Sequence, residues 1–241
     1  MPSSRDSFWS FRIALTVLVT ALVTVGIVFL TRFSLALWSN TLAKTPLPVV
    51  SDDPEIVSLG QQQFAIPGNI LINATGDAIE LAMIWPGLGG RTDQNTENFR
   101  NQDPAAPLLR LRLDRNQETI NSEERFERII MPAFSGEPLP APDGLIARHF
   151  RPGTGFGPDV LYYAPLDTQS GDTTRYLTFC AEPFDQMPQS DTSFCQRVIQ
   201  LTTDIRLEIR FYPNLLNEWK QIDTEVIDLV RTYLSGTQNT D

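Results

Sequence analysis

An unbroken, charge-free run from Ile13 to Thr31 stands between Arg12 and Arg32, built mostly of Leu, Val, Ile and Ala. As a helix rising ~1.5 Å per residue it reaches about 28 Å, close to the ~30 Å hydrocarbon core of a bilayer. The run sets the layout of everything after it. It predicts a short cytoplasmic tail over 1–12 and a transmembrane helix over 13–38 with its core at 13–31. A stalk over 39–55 and an exported α+β domain over 56–241 complete the expected organisation. Phe33 to Trp38 extend the span past Arg32, whose long side chain reaches back to the headgroups. Thr45-Pro46-Leu47-Pro48 resists helix, and Asp52, Asp53 and Glu55 favour solvent, which marks the stalk.

A cleaved signal peptide is the rival reading. The run exceeds the usual ~7–15-residue apolar core, and it ends in Arg32 rather than at a clean small-residue site, although Ser34-Leu35-Ala36 could mimic one. Signal-anchor is therefore expected. The positive-inside count is nearly tied, with Arg5, Arg12 and the amino terminus facing Arg32 and Lys44. The short tail and the two cysteines of the large body tip the orientation: tail in the cytoplasm, body in the periplasm, span in the inner membrane. Trp9 and Trp38 bracket the span as interfacial anchors.

Roughly 195 residues remain outside the anchor, enough for one well-buried core. Apolar residues make up 41% of the chain and charged residues 20%, ordinary for a folded globule. From Thr45 onward there are 28 acidic residues against 14 Arg and one Lys, a net of −13 where the whole chain carries −10. Such a body is repelled by phosphate backbones, so nucleic acid is disfavoured and a basic or neutral protein partner fits better.

Short strand-like runs dominate the body. Leu109, Leu111 and Leu113 alternate with Arg110, Arg112 and Asp114, a period of two that turns leucines inward and charges outward. Ile205, Leu207, Ile209 and Phe211 alternate in the same way with Asp204, Arg206, Glu208 and Arg210, and one wet face implies an antiparallel sheet. Further strands are expected at 64–66, 70–72, 79–85, 145–150, 160–164, 175–181 and 194–201, and 136–144 reads as Pro-rich and extended. Asn121, with Glu124 three residues on, caps a short helix that buries Phe126, Ile129 and Ile130 and ends at Pro132. Pro213 opens a longer helix whose Leu215, Trp219, Ile222, Val226, Leu229 and Tyr233 draw one apolar stripe over about five turns. Packed on the dry face of the sheet, this helix makes the class α+β.

No catalytic set, cofactor motif or metal-ligand spacing stands out. Cys180 and Cys195 sit in predicted strands on either side of a turn-rich loop, and pairing of those strands would bring them within disulfide reach. A structural bridge leads, two buried free thiols are the alternative, and the absence of C-x-x-C spacing disfavours a redox pair. His149, the single histidine, lacks a G-x-S-x-G partner, and Ser135 precedes a Pro-rich segment rather than a helix. Gly153, Gly155 and Gly157 mimic a phosphate-binding loop, but the segment leads into a strand with no Lys following, so a hairpin loop is expected. Thr16, Thr20 and Thr24 share one face of the predicted membrane helix, either as a seam for another helix or as hydroxyls bonded back to their own backbone.

Gly136-Glu137-Pro138, Pro142-Asp143-Gly144-Leu145, the Cys180 and Cys195 pair, and the closing Phe211, Leu216, Trp219, Ile222 pattern carry a resemblance. With them the chain resembles uncharacterised single-pass anchored proteins of Gram-negative, alphaproteobacterial-type envelopes. The resemblance implies an inner-membrane home and transfers no activity and no functional residue. The expectation is a bitopic envelope module whose partners are the bilayer and another envelope protein. An anchored enzyme using carboxylates and an anchored inhibitor or immunity protein are the alternatives.

Overall fold

The alternation at Leu109, Leu111 and Leu113 builds one strand of a broad antiparallel sheet. The computed structural model describes residues 46–100, 107–117, 120–166, 175–181 and 194–235. The predicted membrane span and its Thr16, Thr20 and Thr24 face lie outside the described residues. Among the described residues no helix is long and apolar enough to cross a membrane.

The strands in chain order are β1 (Pro54–Leu59), β2 (Gln62–Pro67), β3 (Leu71–Ala74), β4 (Ala78–Ile84) and β5 (Leu108–Arg115). They continue as β6 (Phe134–Pro140), β7 (Ile146–Phe150), β8 (Val160–Tyr163), β9 (Leu177–Cys180), β10 (Cys195–Gln200) and β11 (Ile205–Phe211). β1 and β2 form a separate hairpin, while the others make a nine-stranded sheet ordered β3-β4-β5-β11-β10-β9-β8-β7-β6. Every pairing is antiparallel. From β6 onward the chain lays strands down from the far edge inward, until β11 closes the sheet against β5. The helices are α1 (Thr96–Arg100), α2 (Ser122–Arg125) and α3 (Trp219–Ser235). α2 runs on into a π-helical turn over Phe126–Ile130.

One face of the sheet is dry. Ile79, Leu81 and Met83 of β4, Leu109, Leu111 and Leu113 of β5, and Ile205, Leu207, Ile209 and Phe211 of β11 are buried there. Ile222, Val226 and Val230 of α3 pack onto them, joined by Leu215 and Leu216 from the preceding 3-10 turn. Phe64 and Ile66 of β2 share the cover. Each such side chain contributes about 1.5–3 kcal/mol on burial, so this layer dominates the stability of the body. The fold is α+β, with the C-terminal helix lying on the sheet as the apolar stripe predicts.

The opposite face is divided. Beside β7, β8 and β9 it is aromatic: Phe126 and Ile130 pack with Phe150, Leu161 and Leu177. Near β4, Ala82 and Leu108 meet Phe99 of α1 and Leu47. Between these patches runs a strip of charge. Leu47 belongs to the segment read as a stalk, and the carbonyl of neighbouring Pro48 accepts a 2.5 Å hydrogen bond from Arg91 Nη1.

Local chemistry accounts for most boundaries. Asn121 Oδ1 accepts the amide of Glu124 at 2.8 Å, the expected N-cap of α2. Pro213 opens its segment as a 3-10 turn rather than as the first turn of α3, which starts at Trp219. β6 is an edge strand interrupted between Ser135 and Leu139, and an edge tolerates its prolines. Nothing in the alternation pattern foretold β1 or α1.

Candidate functional site

Between α3 and the neighbouring end of the sheet lies a groove of about 750 Å³. Its walls come from Trp219, Lys220, Asp223, Thr224, Ile227 and Arg231 of the helix and from Arg197, Ile199 and Gln200 of β10. Ala164 to Leu166, Arg175 and Tyr176 close one side, and Asp143 and Gly144 the end. The Tyr176 ring lies 4.2 Å from Trp219, and the Arg197 guanidinium sits 4.7 Å over the face of Tyr176. Burial pushes the Tyr176 phenol well above its ordinary value, Asp223 adds to the rise, and Arg197 opposes it. The phenol therefore stays protonated, and the floor of the groove is an aromatic and cationic stack.

The ionisable groups of the groove are largely tied to partners. Arg197 Nε meets Asp223 Oδ1 at 3.2 Å, with only 10% and 19% of the two side chains exposed. Lys220 Nζ meets Asp143 Oδ2 at 3.0 Å, and the Trp219 indole donates to the Asp143 carbonyl at 3.3 Å. Asp143 holds that position with φ of +50°, a left-handed conformation that Asp tolerates better than most residues. Arg175 turns to the other face, bonding Glu123 Oε1 at 2.7 Å while its guanidinium covers the Phe126 ring at 4.2 Å. The Thr224 hydroxyl donates to the Lys220 carbonyl. Such an arrangement suits holding a side chain or short segment. Neither carboxylate in the groove is free of a cation, which fits poorly with proton transfer.

The charged strip on the opposite face follows from register, because directly paired residues share a face. Ala78, Asp114, Arg206 and Gln200 form one row across β4, β5, β11 and β10. Glu80, Arg112, Glu208 and Val198 form the next, and Ala82, Arg110, Arg210 and Gln196 the third. Arg206 Nη2 bonds Asp114 at 2.8 Å and Arg112 Nη1 bonds Glu80 at 2.7 Å. Buried Glu208 is taken by Arg210 along its own strand.

Cys180 and Cys195 stand directly opposite each other on β9 and β10 and form a disulfide with Cα atoms 4.0 Å apart. His149 pairs in register with Ser135 on one side and Val160 on the other, sharing the face of the disulfide. No side-chain hydrogen bond joins His149 to Ser135 among the described residues. The Gly153 to Gly157 segment connects β7 to β8, two antiparallel neighbours, as a hairpin loop. Sequence reasoning passed over Tyr176, Arg197 and Asp223. A signal was present: Arg197 has the same strand parity as Cys195 and Ile199, so a cation was destined for the helix-facing side.

No protein-family model matches the chain, and no curated protein does. Among solved structures it is similar to Smlt3025, an immunity protein of the Stenotrophomonas maltophilia type IV secretion system, at 16% identity and a TM-score of 0.52. That match covers 76% of this chain and 94% of the other, and it shows a shared fold. The Neisseria meningitidis iron-regulated outer membrane lipoprotein FrpD aligns at 11% identity and a TM-score of 0.48, over 79% of this chain and 96% of that one.

Proposed function

We propose that this chain is a single-pass inner-membrane protein whose acidic α+β body stands in the periplasm and binds another envelope protein. The observation that carries the reading is the groove beside α3. Half-buried Trp219, packed against buried Tyr176, offers apolar area at low entropic cost, and aromatic and Arg side chains of this kind anchor protein interfaces. Its carboxylates are held in ion pairs, so its chemistry favours recognition. The apolar run at 13–31 supports the anchored location, since a span of that length and composition matches a bilayer.

A narrower form of the reading makes the body an anchored inhibitor or immunity protein. The fold shared with an immunity protein supports this by analogy of architecture alone. A net charge of −13 beyond Thr45 would speed encounter with a basic effector. The enzyme alternative would require carboxylates in the groove to act on substrate, and Asp143 and Asp223 would first have to leave Lys220 and Arg197.

The test places a photo-cross-linking residue at Thr224 or Ile227 in the full chain, in cells. One dominant adduct with an envelope protein, lost when Trp219 is changed to Ala, is the expected result. Adducts that ignore Trp219, or that form equally from β1 on the far hairpin, would remove the groove from the reading. A reporter fused after Asp241 that works only in the cytoplasm would remove the periplasmic location.

A further inference from the structure

The charged strip on the face opposite the groove alternates in sign in two of its three rows. Asp114 stands against Arg206, and Arg112 stands between Glu80 and Glu208. The third row breaks the pattern, because Arg110 and Arg210 are direct cross-strand partners. Like charges placed opposite one another are destabilising, so the row costs free energy that its neighbours do not. Arg210 offsets part of that cost by bonding Glu208 and by lying 5.3 Å over the Phe194 ring. Arg110 has less relief, which comes from the charge of Tyr212 and Glu80 nearby rather than from a direct bond. It makes no ion pair among the described residues, and it is half-buried between Ala82 and Arg210. Burial holds its pKa below the usual guanidinium value and Arg210 adds to that, against Tyr212 and Glu80.

A sheet face with two guanidinium groups directly paired across strands, and no carboxylate in their row among the described residues, is complementary to a carboxylate from outside. We propose that the Arg110 and Arg210 notch is a docking point for an Asp or Glu side chain of a partner protein, which completes the third row of the ladder. The carboxylate would accept from Arg110 and from the arm of Arg210 not engaged with Glu208. Gln196, in the same row, and Val198, in the next, flank the notch with uncharged surface. The proposal takes the occupant's identity from the protein-binding reading. It concerns the opposite face from the groove, and it stands or falls without the groove variants.

The test uses the full chain, purified in mild detergent, with arginine labelled for detection of its Nε–H groups by nuclear magnetic resonance. The probe is a blocked Gly-Glu-Gly-Glu-Gly peptide, with its Gln counterpart and inorganic phosphate as controls at matched ionic strength. The Arg110 and Arg210 resonances are expected to move saturably with the Glu peptide and to stay put with the Gln peptide. Arg110→Gln should weaken that response at least fivefold while raising the midpoint of thermal unfolding, because an uncompensated cation has been removed. Two results would overturn the proposal. One is equal saturation by phosphate, which would make the notch a general anion site. The other is a lowered unfolding midpoint in Arg110→Gln, which would make the guanidinium a structural group already satisfied within the chain.

Discussion

Asp223 on α3 receives two of the three nitrogens of the Arg197 guanidinium, Nε at 3.2 Å and Nη2 at 3.3 Å, and so ties the C-terminal helix to the strand that carries half of the disulfide. The remaining arm of Arg197 donates to the carbonyls of Leu177 and Val198. With so little of either side chain exposed, removing the carboxylate strands a desolvated cation. Asp223→Ala should destabilise the body by about 3 kcal/mol, read as a lowered urea midpoint at unchanged slope. The double variant Arg197→Met with Asp223→Leu should recover most of that loss, since well-packed apolar groups replace a buried pair at little cost. A double variant as unstable as the single one would show that packing around Tyr176, and not charge, holds the helix in place.

The disulfide joins residues 15 apart in sequence, and both cysteines are buried. Constraining a loop of that length is worth about 3 kcal/mol in the chain-entropy model, which for a body of this size corresponds to roughly 6–12 °C in thermal midpoint. Replacing both cysteines with Ser should lower the midpoint by that amount, and a reductant should lower the wild-type midpoint to match. The variant should be indifferent to reductant. A wild-type midpoint unmoved by complete reduction, verified by thiol titration, would contradict the expectation.

The parts of the fold that the sequence made legible are those where one periodicity had no competitor. The alternation in Ile205–Phe211 fixed which residues of β11 face the helix, and the stripe through Ile222 and Val226 named two that face back from α3, while Val230, outside the stripe, is buried more deeply than Leu229 within it. Asn121 announced its cap because a side-chain acceptor three residues ahead of Glu124 has few other uses. β6 was legible only as extended chain, because its two strand halves are separated by an irregularity and its prolines obscure the period. The groove was hidden for a different reason. Asp143, Tyr176, Arg197 and Trp219 come from four separate places in the sequence, and only the strand order β11-β10-β9-β8-β7 brings them together. Strand order is a property of long-range pairing, which local composition does not encode.

Trp85 offers a measure of how tightly the inner layer is specified. Its ring is 1% exposed, and its indole N–H donates to Glu218 Oε2 at 2.7 Å, just before α3 begins. Glu218→Ala leaves that part-buried donor without its acceptor. The expected cost is about 1–3 kcal/mol, together with a shift in Trp85 fluorescence. Glu218→Gln keeps an acceptor and should lose less than half as much. Equal losses for the two substitutions would mean that the charge, rather than the hydrogen bond, fixes the entry of α3.

Acid should act on the body in opposite senses through two aspartates. At Asp114 burial works against the carboxylate, but hydrogen bonds and charge from Arg206 and Arg112 outweigh it and hold the pKa below the ordinary 3.8. Its stabilisation is therefore fully present above that value and is lost as pH falls through the lower folded pKa. Asp159 has no such partners among the described residues, and burial raises its pKa above 3.8. A group raised in the folded state opposes folding once pH rises past its folded value, so protonating Asp159 stabilises the body. Asp114→Asn should lower stability at neutral pH by about 1–2 kcal/mol and flatten the loss between about pH 5 and about pH 2. Asp159→Asn should instead raise stability at neutral pH and steepen the acid loss, because the compensating group is gone. Urea midpoints across that range, taken for the parent chain and both variants, decide the matter: parallel acid limbs in all three would show that neither aspartate governs the response.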